Sequence, residues 1–80
     1  QITEPDALMP TVMGLAKEFV NSAPIAIRLA KRAMYRGMEC SLREALEFET
    51  YAQNICKETE DHKEGARAFV EKREPNFVGR

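Results

Sequence analysis

The stretch from Asp61 to Gly79 reads DHKEGARAFVEKREPNFVG, and it predicts a helix followed by an extended tail. Asp61 with Glu64 three residues later is the acidic equivalent of a capping box, so this helix is expected over about residues 61–73. Pro75 should end it, because the residue before a proline disfavours helical geometry. Residues 76–80 would form the tail. The apolar face of the helix is short, and its members are Gly65, Ala66, Phe69 and Val70.

Two helices upstream carry their own start signals. Ser41 with Glu44 forms a capping box, which predicts a helix over about residues 41–57. Pro24 suits a first helical turn, since its missing N–H would be unpaired there, and the helix it begins is expected over about residues 24–36 with Gly37 as its stop. The basic face of the helix at 24–36 consists of Arg28, Lys31, Arg32 and Arg36. This face could bind phosphate, but packing against the glutamate-rich helix at 41–57 is the favoured interpretation.

The first helix is expected over about residues 5–21, with Pro5 in its first turn. Pro10 should kink this helix or delay its start, because proline lacks the N–H that an inner turn requires. Its apolar face is wider than a four-helix packing needs and therefore predicts contact with another protein surface. The face consists of Leu8, Met9, Val12, Met13, Leu15, Ala16, Phe19 and Val20. No strand pattern stands out, so the sequence predicts an all-α fold of four helices plus an extended C-terminal tail.

Composition narrows the class of protein. The chain has 80 residues, of which 44% are hydrophobic and 31% charged, which is globular composition and too apolar for intrinsic disorder. Its net charge of -1 provides no field to attract nucleic acid or an anionic membrane, so neither is expected as a partner. Two cysteines are too few for a disulfide framework and favour a reducing compartment. No signal-peptide pattern is present at Gln1. Because the chain does not begin with methionine, we expect a piece of a longer protein or a chain that lacks its beginning.

Candidates for catalysis or metal binding are few. The single histidine, His62, and the cysteines Cys40 and Cys56 match no common zinc spacing, so no metal site is predicted. No nucleophile is accompanied by an orienting group, so no catalytic residue is predicted either. Glu49 falls on the apolar arc of its helix, and a partly buried carboxylate needs a partner. We expect an ion pair with an Arg or Lys of the helix at 24–36; a catalytic acid is the alternative, although no second carboxylate accompanies Glu49.

Phe69 and Lys72 form the most distinctive pair. Three residues apart on a helix, their side chains would be neighbours. An aromatic face beside an ammonium could hold a purine ring and a phosphate. From the residues alone, a core phenylalanine beside a solvated lysine is the favoured interpretation.

The segments DHKEG (61–65) and AFVEKR (68–73), followed by Pro75, Phe77 and Gly79, resemble the C-terminal end of the crotonase superfamily. That superfamily includes the enoyl-CoA hydratases and isomerases. Residues 15–16, 23–26 and 31 look like its preceding helices, and residues 37–39 and 51–55 look like the hydratase branch near methylglutaconyl-CoA hydratase. The resemblance covers the chain from about residue 7 to residue 79.

The resemblance implies that residues 1–80 are the helical domain that builds oligomers and covers coenzyme A (CoA), and that the catalytic N-terminal domain is absent from them. The parent enzyme would hydrate 2-enoyl-CoA thioesters as a trimer or hexamer, with CoA as part of the substrate and no separate cofactor. Phe69 and Lys72 would contribute to the adenine and phosphate end of CoA in a neighbouring subunit's site. Such an enzyme is expected in the cytoplasm of a bacterium or the mitochondrial matrix of a eukaryote.

Two other functions remain open at the level of sequence. One is a free-standing helical module for protein interaction. The other is a small acyl-CoA carrier, since such proteins are helical and of similar length, although the Tyr/Lys pattern of that family is not present.

Overall fold

The computed structural model describes residues 2–80; Gln1, the residue at which the sequence showed no signal-peptide pattern, lies outside the described residues. Four helices follow one another: α1 (Pro5–Val20), α2 (Pro24–Gly37), α3 (Leu42–Glu58) and α4 (Glu60–Glu71). A tail without regular secondary structure follows from residue 74 to residue 80. No strand occurs within residues 2–80, so the predicted all-α fold with an extended tail is confirmed.

The helices form an open layer, in which each helix packs only against its neighbours in chain order. The layer measures 42 × 39 × 18 Å, and its radius of gyration is 15.7 Å. A compact domain of this length has a radius of gyration of about 12 Å. The hydrophobic residues that are buried are both small, namely Ala52 and Ala68. Many large apolar side chains of these helices are therefore exposed.

The start of α3 follows the predicted capping box. The hydroxyl of Ser41 accepts a hydrogen bond from the backbone N–H of Glu44 at 3.3 Å, and the backbone N–H of Ser41 donates to the Glu44 carboxylate at 2.9 Å. Two donors at the helix start are thereby satisfied. The boundary at the other end lies one residue beyond the prediction, at Glu58.

The predicted stop of α2 is wrong in its mechanism. Gly37 is the last residue of the helix rather than the residue that follows it, and Met38 continues in right-handed geometry with φ −75° and ψ −16°. The chain leaves α2 through a tightened turn, in which the N–H of Glu39 donates to the carbonyl of Arg36 at 3.1 Å. The left-handed glycine that often ends a helix is therefore not used here.

Pro10 lies inside α1 and does not delay its start, which is at Pro5 as expected. Proline removes one helical donor, which would have bonded to the carbonyl of Asp6. Both residues are exposed, so water can hydrate that carbonyl. No residue of α1 is buried, and seven large apolar side chains on it are between 45% and 80% exposed: Leu8, Met9, Val12, Met13, Leu15, Phe19 and Val20.

Candidate functional site

The α4 helix begins differently from the prediction. Thr59, not Asp61, caps it: the Thr59 hydroxyl accepts a hydrogen bond from the backbone N–H of His62 at 3.0 Å. The same hydroxyl donates to the carbonyl of Cys56 at 2.6 Å and so joins the end of α3 to the start of α4. The helix therefore starts at Glu60, one residue earlier than expected, and Asp61 is free for another role.

Asp61 holds the C-terminal tail against α4. Its side chain is only 1% exposed, and its carboxylate accepts hydrogen bonds from the backbone N–H groups of Val78 at 2.7 Å and Gly79 at 2.9 Å. Its own N–H donates to the carbonyl of Arg80 at 3.0 Å. A buried carboxylate is costly unless donors surround it, and here two tail amides satisfy it.

The tail also packs through Phe77 and Gly79. A Cβ atom at Gly65 would lie 3.5 Å from Cε1 of Phe77, so the ring lies directly on the glycine. Gly79 has φ +82°, a conformation that favours glycine, and its position for a Cβ lies 3.6 Å from the ring of Pro24. The tail therefore runs back along α4 and reaches the start of α2.

Glu64 fixes the turn between α4 and the tail. Its carboxylate accepts two hydrogen bonds from the guanidinium of Arg73, at 2.6 and 3.1 Å, and one from the backbone N–H of Asn76 at 3.0 Å. These donors, with the guanidinium first, lower the pKa of Glu64 to about 2. Arg73 also donates to Glu71 at 2.6 Å and to the carbonyl of Glu74 at 3.1 Å. Its pKa is raised, chiefly by Glu64.

Lys72 ends α4 in a left-handed conformation, with φ 54° and ψ 43°. The N–H of Lys72 donates to the carbonyl of Phe69 at 3.3 Å, and the N–H of Arg73 donates to the carbonyl of Ala68 at 3.1 Å. This pair of bonds is a Schellman motif, in which glycine usually holds the position that lysine has here. For a residue with a Cβ the conformation costs roughly 1–2 kcal/mol. The helix therefore ends at Glu71, not at residue 73, and Pro75 does not end it.

The two residues predicted to contact CoA both lie at this exposed end of α4. Phe69 is 85% exposed, and Lys72 is exposed at the turn that follows. Because Lys72 is outside the helix, their helical three-residue spacing does not apply. The predicted apolar face of α4 is wrong in part: Gly65 and Ala66 line a cavity beside the tail, whereas Phe69 and Val70 face away from the layer. Ala68 is the buried residue of this helix end.

The predicted partner of Glu49 is not found. Glu49 is exposed and lines the groove between α2 and α3, and within residues 2–80 no ion pair joins these two helices. Instead, the guanidinium of Arg36 lies over the ring of Phe48, 5.3 Å from its centre. The hydroxyl of Ser41 lowers the pKa of Glu44, to which Arg36 adds a smaller electrostatic contribution.

The remaining candidates are placed without forming a site. His62 is exposed in the first turn of α4, and Cys40 and Cys56 are free thiols of intermediate exposure. Across the part of the chain that the structure describes, no group of three or more His, Cys, Asp and Glu side chains converges as metal ligands would. In the same residues, no helix combines the length and the apolar character needed to cross a membrane.

Comparison with known proteins gives a consistent set of matches. The family model described as enoyl-CoA hydratase/isomerase matches residues 1–80. A short-chain-enoyl-CoA hydratase of Clostridium acetobutylicum is 44% identical over 73 residues, which are 91% of this chain and 28% of that protein. The human mitochondrial methylglutaconyl-CoA hydratase is 43% identical over 81 residues, 99% of this chain and 23% of that protein.

Solved structures of enoyl-CoA hydratases also match the fold of this chain. The crystal structure of an enoyl-CoA hydratase from Bacillus anthracis superposes with a TM-score of 0.90 at 33% identity, over 98% of this chain and 30% of that chain. An enoyl-CoA hydratase/isomerase from Mycobacterium paratuberculosis gives a TM-score of 0.89 at 37% identity. The chain thus spans less than a third of the length of these relatives.

Proposed function

The chain belongs to the enoyl-CoA hydratase/isomerase family, and from that membership we propose that it is the C-terminal helical part of an enzyme that hydrates 2-enoyl-CoA thioesters. The catalytic residues of such a lyase would lie in the rest of the protein, since residues 1–80 span less than a third of the relatives. The family match disfavours the free-standing interaction module and the small acyl-CoA carrier. The donors that stabilise the thioester oxyanion are worth a few kcal/mol of barrier, and they are expected in the rest of the protein. The isolated chain is therefore expected to be inactive.

Phe69 and Lys72 are proposed to contact the adenine and phosphate end of CoA. The observation that carries this assignment is that Phe69, which is 85% exposed, and Lys72, which is exposed in a left-handed turn, both lie at the same end of α4. An aromatic ring left in water at a helix end is a surface on which a purine can stack, and the ammonium can bind phosphate oxygens. Arg73 is unsuited to the same task, because Glu64 and Glu71 already occupy its guanidinium.

The open layer supports a second role in subunit contact. The apolar side chains of α1 are about half-exposed or more, and apolar surface of this extent marks an interface. We assign this face to contact with the catalytic domain or a neighbouring subunit in a trimer or hexamer. CoA would be part of the substrate, with no separate cofactor. The enzyme would work in the cytoplasm of a bacterium or in the mitochondrial matrix of a eukaryote.

Lys72→Ala in the full-length enzyme tests the assignment. Adenine and phosphates are far from the reacting double bond, so contacts there hold substrate and transition state equally, and their loss raises KM while kcat stays constant. We expect CoA binding to weaken by ~1 to 2 kcal/mol, and the effect to shrink as salt rises. Crotonyl-pantetheine lacks the nucleotide, so the Lys72→Ala variant should process it with the same KM and kcat as the wild type. Equal impairment on crotonyl-pantetheine, or a loss of kcat at constant KM, contradicts the assignment.

A further inference from the structure

A carboxylate from the preceding part of α4, that of Glu64, bonds to the turn that carries Lys72 at two places. Glu64 accepts hydrogen bonds from Arg73, directly after Lys72, and from the backbone N–H of Asn76, four residues after it. Glu71, directly before Lys72, binds the same guanidinium at 2.6 Å. Arg73 thus joins Glu71, the residue before Lys72, to Glu64 in the preceding part of α4.

Left-handed backbone at a lysine persists only where its surroundings hold it, because the right-handed well is favoured for every residue with a Cβ. The two backbone bonds of the Schellman motif fix the start of this turn, and Glu64 fixes its exit at Asn76. We propose that Glu64 is a positioning residue for CoA binding: by holding Arg73 and Asn76, it keeps Lys72 in its left-handed conformation at the exposed end of α4 that also carries Phe69. This inference rests on the proposed function of Lys72 and Phe69.

Glu64 acts through the turn rather than on the ligand. Its carboxylate oxygens are occupied by Arg73 and Asn76, and a carboxylate repels phosphate. By engaging Arg73, it also leaves Lys72 as the cation of this turn that can bind phosphate. Other carboxylates of α4 hold different parts of the tail: Asp61 binds Val78 and Gly79, and Glu60 binds Arg80 at 2.9 Å.

Glu64→Gln in the full-length enzyme tests the proposal, with Glu60→Gln as the matched control. Glutamine keeps the size of the side chain but removes the charge that binds Arg73. We expect Glu64→Gln to raise the KM for crotonyl-CoA about threefold to tenfold without changing kcat, as loss of one positioning contact would. The inhibition constant of free CoA should rise by the same factor. Glu60→Gln removes the ion pair with Arg80, which lies on the same helix and is more exposed than that of Glu64, and it should change neither constant.

A double-mutant cycle separates positioning from general damage. In the Lys72→Ala background, Glu64→Gln should have no further effect on KM, because the side chain that it positions is gone. An effect that persists in that background overturns the proposal, as does a lowered KM for Glu64→Gln. If Glu64→Gln does not fold, Arg73→Gln breaks the same contact from the other side and should give the same rise in KM.

The cycle also distinguishes failure of this proposal from failure of the function on which it rests. An unchanged KM in Lys72→Ala itself would overturn the CoA contact, and the positioning role with it. A raised KM in Lys72→Ala together with an unchanged KM in Glu64→Gln would overturn the positioning role alone.

Discussion

The carboxylate of Glu64 and the guanidinium of Arg73, nine residues apart, are joined by two hydrogen bonds of 2.6 and 3.1 Å. Such a paired contact between two planar groups fixes orientation as well as distance. It brings the end of α4 back towards the middle of the helix and turns the chain into the tail. The exposed pair Phe69 and Lys72 lies at this reversal.

Asp61 should contribute more to stability than any other carboxylate of α4. Asp61→Ala leaves the backbone N–H groups of Val78 and Gly79 without their acceptor, and burying unpaired polar groups costs about 1–3 kcal/mol. We expect a loss of that size in the free energy of unfolding of the full-length protein, measured by urea denaturation. Glu60→Ala, which removes an exposed ion pair with Arg80, should cost less than ~1 kcal/mol. Equal effects of the two substitutions would contradict the anchoring role of Asp61.

Acidification should weaken the turn at the end of α4 through Glu64. Its pKa is about 2 in the folded protein against an ordinary value of 4.5, so its contribution is complete above pH 4.5 and is lost as the pH falls through 2. Arg73 and Arg67 are the cations that favour the ionised form. Urea denaturation of wild type and Glu64→Gln at several pH values checks this. The stability difference between them should be constant above pH 4.5 and narrow below it; a constant difference down to pH 2 would exclude the linkage.

The left-handed conformation of Lys72 predicts an unusual response to glycine. Lys72→Gly removes the steric cost of φ 54°, so the stability of the full-length protein should stay constant or rise by up to ~1 kcal/mol, while the KM for crotonyl-CoA rises. Lys63→Gly is the matched control, because Lys63 is an exposed residue within α4 and glycine there should cost ~1 kcal/mol. Differential scanning calorimetry of both variants gives the comparison. A similar loss of stability in the two would show that residue 72 is not held in left-handed geometry.

The four helices could be predicted from sequence because their signals are local. Ser41 and Glu44 are three residues apart, and Pro5 and Pro24 mark helix starts by their own chemistry. The role of Asp61 could not be found in this way, because its donors lie 17 and 18 residues further along the chain. A carboxylate near a helix start satisfies the capping pattern equally well, and only the fold of the tail decides between the two roles.

Local sequence patterns could not predict where α4 ends or which of its apolar side chains are exposed, and the two reasons differ. Propensity assigns a helical stop to Pro75, whereas lysine in the left-handed position of a Schellman motif gives no compositional signal. The exposure of Phe69 and Val70 could not be predicted either, since an apolar pair on an amphipathic helix normally faces the core. Their exposure depends on which surface the layer leaves for another protein or a ligand. The predicted ion pair of Glu49 was wrong for the same reason, because the groove that Glu49 lines is open.

A crystal structure of the full-length enzyme with bound CoA tests the proposal that the end of α4 holds the nucleotide end of CoA. We expect the adenine ring to lie against Phe69 and the ammonium of Lys72 to lie within about 4 Å of a CoA phosphate oxygen, the range of an ion pair. Lys72 should keep its left-handed backbone, and Arg73 should stay on Glu64. Adenine and phosphates bound elsewhere, with Phe69 covered by protein and Lys72 in solvent, would contradict the assignment of Phe69 and Lys72 to CoA binding.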